Sequence, residues 1–181
     1  MQTREAYKAL IRHEVFGNRR LSLWQKARRM YREPSLAAVY RIRAFQYHVS
    51  RSGFWHRWRA GRHSDVLCRR FQIFVGSRTQ IGRGLVLPHP TGIVLGQAVK
   101  IGENCRIFQH VTVGSRRNGD YKRGLQPNIG KDCTLFSGCA VIGDVTLGDG
   151  VQIGANAVMN KNALPGSVWA GVPARCLSKE V

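Results

Sequence analysis

From residue 75 onward, aliphatic side chains recur every six residues. Val75, Ile81, Leu87 and Ile93 keep this period, and after a two-residue slip Leu95, Ile101, Ile107 and Val113 resume it. After a longer break Ile129, Leu135, Val141, Leu147, Ile153 and Met159 follow without a slip, and Gly often comes directly after the aliphatic residue, as in Ile101-Gly102 and Ile153-Gly154. A period of six fits neither the 3.6-residue stripe of a helix nor the two-residue alternation of a hairpin strand. It predicts short strands wound into a parallel β-helix, with three hexapeptides, or about 18 residues, to a coil. Cys105, Cys133 and Cys139 each stand four places after a repeat aliphatic, where a small side chain points inward, so they read as buried, reduced thiols.

Before residue 75 the pattern is helical. Ala6, Leu10 and Val15-Phe16 form a short amphipathic stripe ending at Gly17-Asn18. Leu21, Trp24, Ala27, Arg28 and Tyr31 form a second, stopped before Pro34, and Leu36, Val39, Tyr40, Arg43 and Tyr47 a third, ending near Gly53. The stretch Phe54-Trp55-His56-Arg57-Trp58-Arg59 is both aromatic and basic. It reads either as a packed helix with snorkelling arginines or as a membrane-surface contact. The expected organisation is a basic helical region over 1–74, a solenoid over 75–164 and a closing cap over 165–181.

Two segments leave the rhythm of sixes. One is Leu87-Pro88-His89-Pro90-Thr91-Gly92; the other is the polar loop 115–127, with Arg116, Arg117, Lys122 and Arg123 around Asn118-Gly119-Asp120. Loops of that length between regular elements are usually functional or disordered.

Charge sharpens this picture. The 181 residues carry a formal net charge of +19. Residues 1–74 hold 17 Lys/Arg against 4 Asp/Glu (+13), and residues 75–181 hold 12 against 6 (+6). Such a balance favours anionic partners, but no nucleic-acid-binding motif is present, so nucleic acid is not expected. No secretory signal opens the chain, no apolar run reaches membrane-spanning length, and the cysteines have neither CxxC nor metal-ligand spacing. A cytoplasmic protein without a metal is expected, with possible peripheral contact to an anionic inner membrane face.

Of the six histidines only His89 and His110 lie in the solenoid; His13, His48, His56 and His63 fall among helical residues and read as surface or packing residues. His89 sits between two prolines, whose fixed φ holds the backbone stiffly, and a neutral imidazole suits removal of a hydroxyl proton. His110 stands one coil further on, at the fourth place of the hexapeptide starting at Ile107, which puts the two imidazoles on neighbouring coils and one face. His110 could orient His89, bind an acceptor or simply be exposed.

With Leu87-Pro88-His89-Pro90-Thr91-Gly92-Ile93-Val94, Gln109-His110-Val111-Thr112-Val113-Gly114 and Gly171-Val172-Pro173-Ala174-Arg175, residues 75–176 resemble the hexapeptide-repeat acyltransferases. The resemblance lies in the branch of serine acetyltransferase and its relatives, the colanic-acid-type polysaccharide O-acetyltransferases. It implies an all-β solenoid, a left-handed parallel β-helix, behind the α-helical N-terminal region. It implies a homotrimer with active sites between adjacent solenoids, acetyl-CoA as co-substrate, and His89 as general base with His110 beside it. It places the pantetheine arm near Gly114, Ser137, Gly138, Ala155 and Asn156, and the nucleotide end near Lys161 and Arg175. Serine acetyltransferases carry Asp just before the base and another Asp fifteen residues earlier, where this chain has Pro88 and Phe74. They carry His before the loop proline, where this chain has Gln126. The missing carboxylates point to a sugar hydroxyl of a bacterial surface polysaccharide or its precursor as acceptor, acidic or lipid-linked, held by Arg116, Arg117, Lys122 and Arg123. Serine, for cysteine biosynthesis, is the alternative. A β-helical zinc lyase would need a third histidine on the coils, and a non-catalytic polymer-binding scaffold would leave the proline-flanked His89 without a role.

Overall fold

The computed structural model describes residues 3–178, and the chain divides into two compact units between Gln72 and Ile73. In the first, α1 (Arg4–Glu14) is capped by the Thr3 hydroxyl, which accepts from the Ala6 amide, and α2 (Leu23–Arg32) opens with a reciprocal Ser22–Gln25 capping box. Helix α3 (Pro34–Val49) starts on a proline, whose missing N–H is no loss at that position, and α4 (Phe54–Val66) runs into a π-helical turn over Leu67–Phe71.

Helix α3 is the centre of this unit. Ala37, Ala38, Val39, Ile42, Ala44 and Phe45 are buried, and Arg43 is buried with them because it is paired. Its guanidinium meets the Glu14 carboxylate through two bonds of 2.7 Å, with both side chains almost wholly enclosed. By contrast α2 has no buried residue and α4 only Ala60. The Leu21–Tyr31 stripe and the Phe54–Arg59 stretch, expected in part to be packing faces, point their large side chains outward instead.

In the second unit the hexapeptides form three parallel sheets, one per face of a prism. Val75, Leu95, Val113, Val141 and Met159 stack as one inward row; Ile81, Ile101, Ile129 and Leu147 as the next; Ile107, Leu135, Ile153 and Trp169 as the third. Each row repeats at the spacing of hydrogen-bonded strands, about 4.8 Å. The place two before each aliphatic is also inward. Cys105, Cys133 and Cys139 fill it and are buried, and burial pushes the Cys139 thiol up to about 12.

The structure corrects the register at the first slip. Val75 pairs with Leu95, not Ile93, while Phe74 donates to the Ile93 carbonyl. Ile93 therefore occupies the second inward place, and the two extra residues lie within Pro88–Gly92. The second interruption adds ten residues to a coil, since Val113 pairs with Val141, 28 positions on instead of 18. The coils also run past residue 164. Leu147 bridges Ala163 and Ile153 pairs with Trp169, so residues expected in the cap complete a fifth coil. Only then does Arg175–Ser178 return antiparallel along Val168–Ala170.

Candidate active site

One edge of the prism, where the third row turns into the first, collects most of the chemistry-bearing residues. Its turns stack as Pro88-His89-Pro90-Thr91-Gly92, Phe108-Gln109-His110, Phe136-Ser137-Gly138 and Gly154-Ala155-Asn156. The amides of His110, Gly138 and Asn156 donate to the carbonyls of Thr91, Gln109 and Ser137, each at 2.9 Å. The last residue of each turn is left-handed: Gly92 (φ 65°), His110 (59°), Gly138 (70°) and Asn156 (56°). This conformation turns the corner tightly, with the Cys139 and Ala157 amides donating back to the Phe136 and Gly154 carbonyls at 3.2 Å, and it suits Gly and Asn. His110 thus holds a turn position filled elsewhere by Gly or Asn, and its ring lies over Gly92, where a Cβ would strike Nδ1.

His89 lies at the surface of this edge, with its carbonyl accepting from the Thr91 amide at 2.8 Å. Its ring stands 6.3 Å from Phe108, and Phe108 stacks on Phe136 at 5.3 Å, so an apolar wall runs up the column beside the imidazole. Sequence reasoning missed this wall. Its signal is that Phe108 and Phe136 directly follow repeat aliphatics, where Gly often stands. Gln109 is a second omission: its Oε1 is buried and has no hydrogen-bond partner, an acceptor beside the turn of His89.

Of the other residues nominated for the cofactor, two lie elsewhere. Gly114 ends a strand of the first row and Lys161 is exposed at the turn between first and second rows, on a different edge from Ala155 and Asn156. Arg175 begins the antiparallel return strand opposite Ala170, which packs on Gly154 at the end of the same edge, and is exposed. Within one chain, Gly114 and Lys161 therefore stand apart from the other residues nominated for the pantetheine arm and nucleotide.

Loop 115–127 leaves the same edge as Gly114. It carries a 3₁₀ turn over Asp120–Arg123 between left-handed Gly119 and Gly124, and the buried Asp120 carboxylate accepts from the Arg117 amide at 2.9 Å. Arg116, Arg117 and Arg123 line a cleft of about 290 Å³ with Asp120, Asp144 and Asn160. Lys122 is exposed but does not line it. The cleft thus holds both signs of charge, whereas the sequence had singled out only the cations. Gln126, beside it, is buried with its Oε1 unpartnered and its amide nitrogen on the Leu125 carbonyl. Among the described residues no group of three or more His, Cys, Asp or Glu is placed to hold a metal ion.

Comparison with known proteins fits this geometry. Residues 126–161 match the family described as bacterial transferase hexapeptide (six repeats). The chain is 33% identical over 135 residues to a serine acetyltransferase of Salmonella typhimurium, covering 71% of this chain and 48% of that protein. It is 36% identical over 101 residues to one of Helicobacter pylori, covering 56% of this chain and 58% of the relative. The chain thus spans about half the length of these relatives. Crystal structures of serine acetyltransferase from Neisseria gonorrhoeae (TM-score 0.76, 21% identical, 99% of this chain and 69% of that one) and of the soybean enzyme complexed with serine (TM-score 0.74, 22% identical, 96% and 70%) share its fold. That fold is the left-handed parallel β-helix behind N-terminal helices. These findings overturn the expectation of a polysaccharide acceptor: the relatives bear the name of a serine enzyme, and the absence of carboxylates at 74 and 88 was too narrow a ground, because Asp120 and Asp144 stand in the loop cleft. Residues 126–161 thus carry the bacterial transferase hexapeptide repeat, and the unit from Ile73 onward is a β-helix similar in sequence and fold to that of serine acetyltransferases.

Proposed function

We propose that this protein transfers the acetyl group of acetyl-CoA to the hydroxyl of serine. The observation that carries the reading is the surface imidazole of His89, held between two prolines on a stacked edge of a hexapeptide-repeat unit, together with the kinship to serine acetyltransferases.

His89 takes the proton from the serine hydroxyl as its oxygen attacks the thioester carbonyl carbon. The tetrahedral oxyanion is held by backbone N–H groups of the turns. Its collapse breaks the carbon–sulfur bond, and the departing CoA thiolate takes the proton back from the imidazolium. The Phe108–Phe136 wall limits water beside the base. His110 acts mainly by holding the adjoining turn.

The acceptor is a zwitterion, and the loop cleft has groups for both ends. Arg116, Arg117 and Arg123 suit the carboxylate, Asp120 and Asp144 the ammonium; Lys122 adds positive field. The pantetheine arm follows Ser137, Gly138, Ala155 and Asn156, with Gly114, Lys161 and Arg175 serving a CoA bound against a neighbouring copy. His89 and the loop occupy different edges of one prism, so a site needing both is completed between copies, which supports a homotrimer. The reaction belongs to the cytoplasm, where acetyl-CoA is available.

CoA release measured with serine, and separately with simple sugars, tests the proposal. Serine-dependent release that disappears in His89→Ala is expected. Release no faster with serine than without an acceptor would overturn it.

A further inference from the structure

The first unit carries a surface that acetyl transfer does not use. On α2, Trp24, Ala27 and Tyr31 share one face, flanked by Leu23, and all four are exposed: Trp24 is 80% and Tyr31 78% accessible. Helix α2 also bears Lys26, Arg28, Arg29 and Arg32 and no acid. On α4, Phe54 (66% accessible), Trp55 (68%) and Trp58 stack edge to face at 5.6 and 6.1 Å, and the Arg62 guanidinium lies 5.2 Å from the Trp58 ring. Arg57 and Arg59 are exposed beside them.

A helix that keeps its aromatic face out of the core while carrying only positive charge is not built as a core element. Isolated exposed apolar residues are ordinary, but six large ones on two basic helices form patches that mark an interaction surface. We infer that α2 and the start of α4 form an interfacial membrane-binding surface that docks on anionic phospholipid. Tryptophan and tyrosine rings settle at the headgroup level, Leu23 and Phe54 reach the acyl boundary, and the flanking arginines meet lipid phosphates.

Charge selects this occupant. A second copy of the same surface would bring like charges together, since α2 has four cations without an acid and α4 three arginines with only Asp65. A nucleic-acid phosphate backbone would satisfy the arginines but offers nothing apolar to Leu23. No described helix is long and apolar enough to cross a membrane, so the contact is peripheral. The inference is independent of the acceptor and of the catalytic role of His89.

The test is co-sedimentation of the full chain with vesicles of phosphatidylcholine alone or with a third phosphatidylglycerol, read alongside tryptophan emission. Three of the four tryptophans lie on α2 and α4. Binding to the anionic vesicles only, with a blue shift, is expected, and it should weaken in about 0.5 M salt. Trp24→Ala/Tyr31→Ala and Arg28→Glu/Arg32→Glu should each weaken partitioning about tenfold or more, with helical content and CoA release unchanged. Absence of anionic-vesicle binding overturns the inference, as does binding that both variants leave intact. So does an exposed face that proves to be consumed by self-association, seen as variants that bind vesicles normally but lose oligomer mass, or binding to a single-stranded oligonucleotide without binding to vesicles.

Discussion

The backbone amide of His110 donates to the carbonyl of Thr91 at 2.9 Å, tying the turn that presents His89 to the coil above it. The His89 turn is thus held by a ladder of main-chain bonds that continues through Gly138 and Asn156, and this separates what each histidine is expected to contribute.

His89→Ala should lower serine-dependent CoA release by about 10²-fold or more, the loss typical of a missing general base, while oligomer mass stays unchanged. Steady-state kinetics with size-exclusion chromatography checks both halves.

His110→Asn should cost less than about tenfold in turnover, because Asn fills the same left-handed turn place one coil pair further on, at Asn156. A loss as deep as that of His89→Ala would make the His110 ring part of the chemistry. Gly92→Ala gives a companion measurement: its Cβ meets the His110 ring and its φ is 65°. It should destabilise by about 1–2 kcal/mol from backbone strain alone, and His110→Ala should relieve the ring contact but not the strain.

Arg43→Ala should destabilise the helical unit by about 3–5 kcal/mol, because the Glu14 carboxylate would stay enclosed without its guanidinium. The double change Arg43→Met/Glu14→Leu should recover most of that loss. Urea denaturation followed by far-ultraviolet circular dichroism distinguishes the two.

Acid should loosen the same unit. His63 is lowered to about 4, first by burial and then by the Arg41 guanidinium, which stands 3.2 Å from its Nδ1, and by His48, Arg59 and Arg62. His48 is lowered too, first by burial and then by His56, Arg59 and Arg51. A histidine near its ordinary value of about 6.5 in the unfolded chain binds protons there before it does in the fold. The stability is fully present above about pH 6.5 and drains away as pH falls toward about 4. Melting temperature recorded across that window should fall, and less steeply in His63→Gln. A flat profile would remove the argument.

In the solenoid, Leu135→Ala should cost about 2–5 kcal/mol, since Leu135 is fully enclosed between Ile107 and Ile153. The loss should be read from thermal melting.

The period of six from Ile129 to Met159 was sufficient for the coils, because an inward row admits only apolar side chains at a fixed step and any one-residue shift would expose it. His89 was legible for a related reason: two prolines stiffen the backbone where the rhythm stops. The position of the two extra residues was not legible, since Ile93 and Leu95 are both apolar and both inward, and only strand pairing tells which place each fills. The Phe108–Phe136 wall, the mixed charge of the loop cleft and the outward face of α2 were also hidden, because each joins residues that sequence separation does not relate.

The sequence by itself determined a β-helix, a basic helical region and a proline-held imidazole, since these depend on local period, charge and backbone stiffness. Tertiary structure alone decided which turns share an edge, which acids face the arginines of the loop and which aromatics stay in solvent. Those outcomes depend on the stacking of strands 18, 20 or 28 residues apart and on the burial of one helix by another, and no single segment carries that information.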